Sequence, residues 1–281
     1  MSGDPVRLID VEHLGRRRVI GCWQAGDVLV DPGPEGSSPT LLAALGEAIP
    51  EAILLTHVHL DHAGSTGALV RRWPGLEVWV HERGAPHLVD PSRLIESASR
   101  LYGSEMERLW GEIVPVPEAN VRALAGGERV RGFEVAYTPG HASHHVCYLH
   151  GDSGRAFVGD VAATRIPPAG LVLPPTPPPD IDIEAWERSL DLVEAWRPAS
   201  LALTHFGSVE EPGPHLHEVR RRLRELAERA REMDAESFAA ALRSEVSASM
   251  PPDDAASLLQ AVPPGQQWAG LDRYWRRRAR P

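Results

Sequence analysis

Four times in this chain a short apolar run of strand length ends in a side chain that can ligate a metal. Ile53-Leu54-Leu55-Thr56 leads into His57, His59, Asp61 and His62. Val135-Ala136-Tyr137-Thr138-Pro139-Gly140 leads into His141, Ala156-Phe157-Val158-Gly159 into Asp160, and Leu201-Ala202-Leu203-Thr204 into His205. Imidazole nitrogens and carboxylate oxygens are ligands of first-row divalent ions, and one rim of a layered α/β fold gathers groups that lie just past strand ends. Residues two apart in an extended segment point the same way, so His57 and His59 can share one ion. Asp61 and His62, beyond the bend, can face a second. A single histidine in such a sequence is usually structural or merely exposed. Four candidate ligands within six residues, with three more in the same context, do not fit that explanation.

The rest of the chain reads as alternating strands and helices. A hairpin runs from RRRVIGCW to VLVDPG and ends at Asp31. Helices are predicted over 38–48 and 65–73, the latter stopped by Pro74-Gly75, with strands EAILLT and LEVWVHE between and after them. The spacing of Leu94, Ala98, Leu101, Tyr102, Leu109 and Trp110 predicts helices closed off at Pro115 and Pro117, a helical insertion over about 84–117. Strand-length runs broken by glycines then lead to Asp160. Seven of the thirteen residues from Pro167 to Pro179 are proline, which predicts a stiff, extended surface loop. A helix over 183–196 and the strand SLALT reach His205. Charged amphipathic helices over 214–231 and 234–248 and a Pro- and Arg-rich tail follow. The chain is thereby divided into a domain over 1–209 and a C-terminal helical extension over 210–281. Arg220, Arg221, Arg222 and Arg224, interleaved with Glu218, Glu225 and Glu228, have the spacing of a solvated helix face. The terminal RYWRRRAR reads as a frayed end or a contact for a partner.

Composition narrows the chemistry. All 29 basic residues are arginine, so a Schiff-base lysine, a P-loop lysine and pyridoxal attachment are excluded. A net charge of −10 disfavours nucleic acid as a partner. Cys22 and Cys147 lie far apart in apolar contexts and read as small core residues rather than a bridge. No stretch approaches the ~20 apolar residues of a membrane span and no secretory signal is visible, so the expected location is a reducing cytoplasm.

HVHLDH, TPGH with His145 after it, FVGD and LTHF, in this order and at these separations, resemble the metallo-β-lactamase-fold hydrolase superfamily over about residues 6 to 207. The resemblance implies an α/β fold, an αββα four-layer sandwich, with a two-metal site at the edge where the sheets meet. Carried over residue by residue, His57, His59 and His141 would hold one metal and Asp61, His62 and His205 the other. Asp160 would bridge them, and Asp31 would buttress the site from behind. The cofactors implied are two divalent ions, zinc first, with iron or manganese as alternatives.

By the same likeness the function is a dinuclear metal-dependent hydrolase in which a hydroxide between the ions cleaves a small ester, thioester or lactone. Asp61 would both ligate and orient that nucleophile. The histidine and aspartate set resembles the glyoxalase II and lactonase branch. Ala163, where acyl-homoserine lactonases carry a tyrosine, and the run GDVAATR depart from the patterns of those two groups. The alternatives are a mononuclear iron persulfide dioxygenase using His57, His141 and Asp160, and a phosphodiesterase or nuclease of the same fold. His145 either supports His141 or is a buried strand histidine. Candidate substrate-binding residues are Tyr102, Met106 and Trp110 on the inserted helices, and Arg165, which could pair with an anionic substrate. A small molecule is the expected partner, with a homodimer as a further expectation.

Overall fold

The computed structural model of the chain describes residues 6–279. Twelve strands form two sheets of six. The first holds β1 (Arg7–Asp10), β2 (Gly21–Ala25), β3 (Val28–Val30), β4 (Ala52–Leu54), β5 (Glu77–His81) and β6 (Val121–Leu124) in sequence order. Its first three strands are antiparallel, and β3 to β6 are parallel. The helices α1 (Ser38–Leu45), α2 (Leu60–Ala63), α3 (Thr66–Arg72), α4 (Ala85–Val89), α5 (Ser92–Tyr102) and α6 (Met106–Trp110) belong to this half.

The second sheet runs β12 (Gly207–Val209), β11 (Ser200–Leu203), β10 (Arg155–Phe157), β9 (Val146–His150), β8 (Phe133–Tyr137) and β7 (Arg129–Val130). Only the β10–β11 pair is parallel, so β8, β10 and β11 point the same way and end at one rim. The helices α7 (Ile183–Ala195), α8 (Pro212–Glu232), α9 (Ala235–Ser249), α10 (Pro252–Ala261) and α11 (Pro264–Arg278) complete this half.

Strand periodicity makes the layers. Val28 and Val30 of β3, Ala52 and Leu54 of β4, Val146 and Tyr148 of β9 and Ala202 of β11 meet in a core between the sheets. Their neighbours Leu29 and Ile53 face an outer core shared with α1 and α3. Cys147, Leu201 and Leu203 face another, shared with α7 to α11. Alternate residues point to opposite faces, so three cores separate four layers in the order α, β, β, α. Both cysteines are buried and unbridged. Burial pushes the Cys147 thiol up to about 12, in keeping with a packing role. Among the described residues no helix is long and apolar enough to cross a membrane.

Three expectations need correction. The proline-rich segment is not a surface loop along its whole length, because residues 172–176 are buried. The reason lies in the C-terminal region, which continues through α10 and α11 instead of fraying. Tyr274 is buried, and the Trp275 Nε1–H donates to the Ala227 carbonyl at 2.8 Å. Gln267 and Gly270 of α11 press against the proline-rich strap at Thr176. Arg222, expected on a solvated face, is buried as well: its Nε donates to the Val172 carbonyl at 3.3 Å, and its other nitrogens meet Glu225 and Glu245.

The helices from α8 to α11 thus share one apolar core with the second sheet. Phe238 of α9 is fully buried in it, so Phe238→Ala is expected to cost about 3–5 kcal/mol. In urea unfolding, tryptophan fluorescence and far-ultraviolet circular dichroism should shift together, because the core is continuous. Separate transitions would contradict that continuity.

Candidate metal centre

Each predicted ligand stands just beyond a strand end. The β4 chain leaves the sheet through Thr56 into His57 and His59 and turns into α2, which carries Asp61 and His62. His141 follows β8, Asp160 follows β10 and His205 follows β11. Two glycines make this possible. Gly140 has φ +135°, and a Cβ there would lie 2.4 Å from the backbone of Trp186. Gly159 has φ +46°, and its Cβ would meet the Thr56 hydroxyl at 2.5 Å and the His145 Nε2 at 2.7 Å. Any side chain at either position would displace the ligand that follows it.

The side chains converge in two sets. One ligating atom each from His57, His59, His141 and Asp160 lies within 4.8 Å of the others, and the same holds for Asp61, His62 and His205. Asp160 divides its oxygens between them. Its Oδ2 lies 3.2 Å from His141 Nε2 and 4.0 Å from His57 Nε2, and its Oδ1 lies 3.2 Å from His62 Nε2 and 3.4 Å from His205 Nε2. Asp61 closes the second set, 3.4 Å from His205 Nε2.

Hydrogen bonds on the far side of each ring fix which nitrogen faces inward. His141 Nδ1 donates to the Pro175 carbonyl at 2.8 Å, His205 Nδ1 to the Val19 carbonyl at 2.6 Å and His62 Nδ1 to Asp31 at 2.8 Å. The Thr56 hydroxyl gives its proton to Asp31 at 2.7 Å, so at 3.1 Å it can only accept from His57 Nδ1. The Nε2 atoms of all four rings therefore face the interior, where each can ligate once it carries no proton. His59 Nδ1 lies 3.0 Å from both His57 Nε2 and His141 Nε2, and one proton cannot serve both. Among the described residues His62 Nε2, His205 Nε2 and Asp160 Oδ1 are buried without a hydrogen-bond partner. Unsatisfied buried acceptors are costly, and a cation satisfies all of them at once. The residues fit divalent metal.

Charge tells the same story. Burial lowers His57, His141 and His145 and holds His59 at about 4, so these rings are neutral at pH 7. Burial also opposes charge on His62 and His205, but Asp160 and the other acids outweigh it and raise both. The Asp160 carboxyl is likewise held well below its ordinary range: burial opposes this, and His62, His141 and His205 overcome it. The acids around His62 and His205 thus favour proton binding there when no ion is present.

Asp31 receives four hydrogen bonds, from the Thr56 N–H and hydroxyl, His62 Nδ1 and the Thr204 hydroxyl, and so ties β3, β4 and β11 together behind the ligands. His145 Nδ1 meets the Thr138 hydroxyl at 2.9 Å, and its ring sits 5.1 Å from that of His57. It packs against the cluster rather than joining either set.

Of the four substrate-wall residues expected from the sequence, Tyr102 and Trp110 pack edge to face, with ring centres 5.1 Å apart. Trp110 stacks on His13 at 5.5 Å. Burial raises Tyr102, and the nearby Asp61 carboxylate adds to it. Burial holds His13 at about 4 against the opposing pull of Asp61. These rings thus stand beside the second ligand set. Met106 is half-buried at the start of α6. The Arg165 guanidinium turns to the Ala169 carbonyl and lines a separate 220 Å³ recess with Ser208, Glu210 and Glu211. Its backbone alone meets the centre, donating to the His205 carbonyl at 2.9 Å. Sequence reasoning missed His13, which lies far upstream of every ligand motif. It also missed His144, whose ring is 6.1 Å from that of His57 and whose signal was its place in HASHH.

The chain is similar to known proteins. A profile described as the metallo-beta-lactamase superfamily matches residues 24–205. The chain is 31% identical over 138 residues to a hydroxyacylglutathione hydrolase of Xanthomonas euvesicatoria pv. vesicatoria (strain 85-10), a match covering 47% of this chain and 40% of that protein. It is 32% identical over 167 residues to a metallo-beta-lactamase fold-containing protein of Sulfurisphaera tokodaii, covering 56% of this chain and 60% of that one. The chain thus spans less than two thirds of the length of either curated relative. Among solved structures, an archaeal metallo-beta-lactamase superfamily protein from Sulfolobus tokodaii superposes with a TM-score of 0.73 at 21% identity, over 96% of this chain and 98% of that one. That last likeness is one of fold alone.

Two outcomes follow from the geometry. Gly159→Ala should abolish tight divalent-ion uptake, read by chelator competition, because its Cβ cannot coexist with Thr56 and His145 in place. Calorimetric ion titration near pH 7, in buffers of different ionisation enthalpy, should report protons released from His62 and His205, the two raised histidines, with affinity rising as pH rises. Uptake without proton release would contradict the charge balance.

Proposed function

Because the chain belongs to the metallo-beta-lactamase superfamily, we propose that its rim cluster is a dinuclear metal centre and that the protein hydrolyses a small thioester, ester or lactone. The observation that carries this reading is the division of Asp160 between two sets of inward-facing ligand atoms, with Nε2 of His62 and His205 given no hydrogen-bond partner by the protein. His57, His59 and His141 would hold one ion and Asp61, His62 and His205 the other, with Asp160 facing both. Ions bound there supply Lewis acidity and a nucleophilic oxygen at neutral pH.

The chain's own groups account for the rest. The neutral state of His57, His59 and His141 leaves these rings ready to ligate. The side chain of Asp61 is 24% exposed while that of Asp160 is 4% exposed. Asp61 is therefore the acid that a solvent-derived nucleophile or an incoming substrate meets first, and its free oxygen can accept a hydrogen bond that orients the attack. Trp110, Tyr102 and His13 offer an apolar wall for the part of the substrate that does not react. The relative named hydroxyacylglutathione hydrolase supports placing an acyl bond first. Arg165 has no part in this reading, because its guanidinium is engaged at Ala169.

Metal analysis of untagged protein, paired with a panel of thioesters, lactones and phosphodiesters, tests the proposal. The expected result is about two divalent ions per chain and acyl-bond cleavage. Asp61→Asn should reduce turnover about 10²-fold or more, and His59→Ala should abolish it with the fold intact. One iron per chain with oxygen uptake on a persulfide would overturn the hydrolase reading in favour of a dioxygenase.

A further inference from the structure

We infer that Gln267 and Gly270 of α11 position His141 in the metal centre, acting through the proline-rich strap. The inference rests on the reading of His141 as a metal ligand. The imidazole is aimed by its bond from Nδ1 to the Pro175 carbonyl, so Nε2 points wherever that carbonyl allows. Pro174 and Pro175 have no N–H groups, and a stretch like this cannot anchor itself in a sheet ladder. Its position is imposed from outside.

The anchors lie on both sides of Pro175. Upstream, Leu173 exchanges two 3.0 Å backbone hydrogen bonds with Thr164, and Arg222 Nε holds the Val172 carbonyl. Downstream, Gln267 Oε1 accepts from the Thr176 N–H at 2.6 Å and from its hydroxyl at 2.8 Å. Both residues are buried, Thr176 completely. Gly270 lets the helix backbone press against the strap, since a Cβ there would lie 2.0 Å from the Thr176 carbonyl oxygen and 2.9 Å from its carbon. A path of direct contacts therefore runs from α11 through Thr176 to the adjacent Pro175 carbonyl and on to His141. Shifting the strap would rotate the ring and carry Nε2 away from Asp160 Oδ2 and His59 Nδ1, now 3.2 and 3.0 Å distant. Gln267 is on this account a positioning residue that touches neither ion nor substrate.

The test uses the full chain and two readouts, zinc affinity by chelator competition and the absorption spectrum of the cobalt(II)-loaded protein. Gln267→Met, which removes the acceptor, should weaken zinc binding about tenfold and alter the cobalt bands. Gln267→Glu, which keeps an acceptor for both Thr176 donors, should restore both readouts. Gly270→Ala and Thr176→Val attack the same path from its other members and carry the test if Gln267→Met fails to fold; each should shift the cobalt bands in the same sense. Parent-like affinity and spectrum in folded Gln267→Met, or in folded Gly270→Ala and Thr176→Val, would overturn the inference while His141→Ala still lost zinc. Unchanged zinc affinity in His141→Ala would instead overturn the metal reading and this inference with it.

Discussion

Five imidazoles and two carboxylates share one buried volume, and the structure depends on keeping their inward atoms from satisfying one another. An imidazole ring carries both a donor and an acceptor. Left alone, such rings would pair into a closed hydrogen-bonded knot with no capacity for an ion. The protein prevents this by committing the outward nitrogens of four rings: His141 to Pro175, His205 to Val19, His62 to Asp31 and His57 to Thr56. Two of these partners are backbone carbonyls and one is a carboxylate, groups that only accept. Thr56 behaves as they do because its own proton is given to Asp31.

The candidate ligands were legible in the sequence. Each sits within six residues of the end of an apolar run, and the geometry brings all seven together in two sets. The alternation of strands and helices was legible from apolar runs and turn residues, whereas the four-layer sandwich came only from the motif resemblance, because strands buried on both faces, such as Val28–Val30 and Ala52–Leu54, are apolar throughout. What the sequence could not supply was any feature carried by backbone carbonyls or by burial from distant segments. Pro175 and Val19 act through their carbonyl oxygens, which every residue type possesses. A single 3-10 turn after β1, at His13–Gly15, brings His13 against Trp110, a contact between distant segments that no local pattern announces. The proline-rich segment reads locally as exposed chain, and its burial follows from α8 and α11, which are long-range packing partners. Arg222 misled for a similar reason. Its spacing matches that of its exposed neighbours, but it alone lies under the strap.

Glycine supplied a different kind of information. Gly140 and Gly159 each precede a ligand, and both sit where a Cβ would strike a neighbour. From sequence these are ordinary turn residues. Only the close approach of Trp186 to one, and of Thr56 and His145 to the other, reveals that the backbone is threaded through gaps too narrow for a side chain. The tolerance of the centre to substitution is therefore set partly by residues with no functional group at all.

The seven ligating residues are not drawn evenly from the fold. His57, His59, Asp61 and His62 are borne by the first sheet and its helix α2, whereas His141, Asp160 and His205 are borne by the second. Each set therefore straddles the seam between the sheets, which is otherwise crossed near the rim by neutral bonds such as Gly21 N–H to the Thr204 carbonyl and Trp23 Nε1–H to the Leu203 carbonyl. On the proposed dinuclear reading, an ion in either place would act as a rivet through both halves of the sandwich. Loading at a hundred times the dissociation constant would add about 2.7 kcal/mol to the folded state, so a cell's supply of the ion would govern how long the protein survives as well as whether it works.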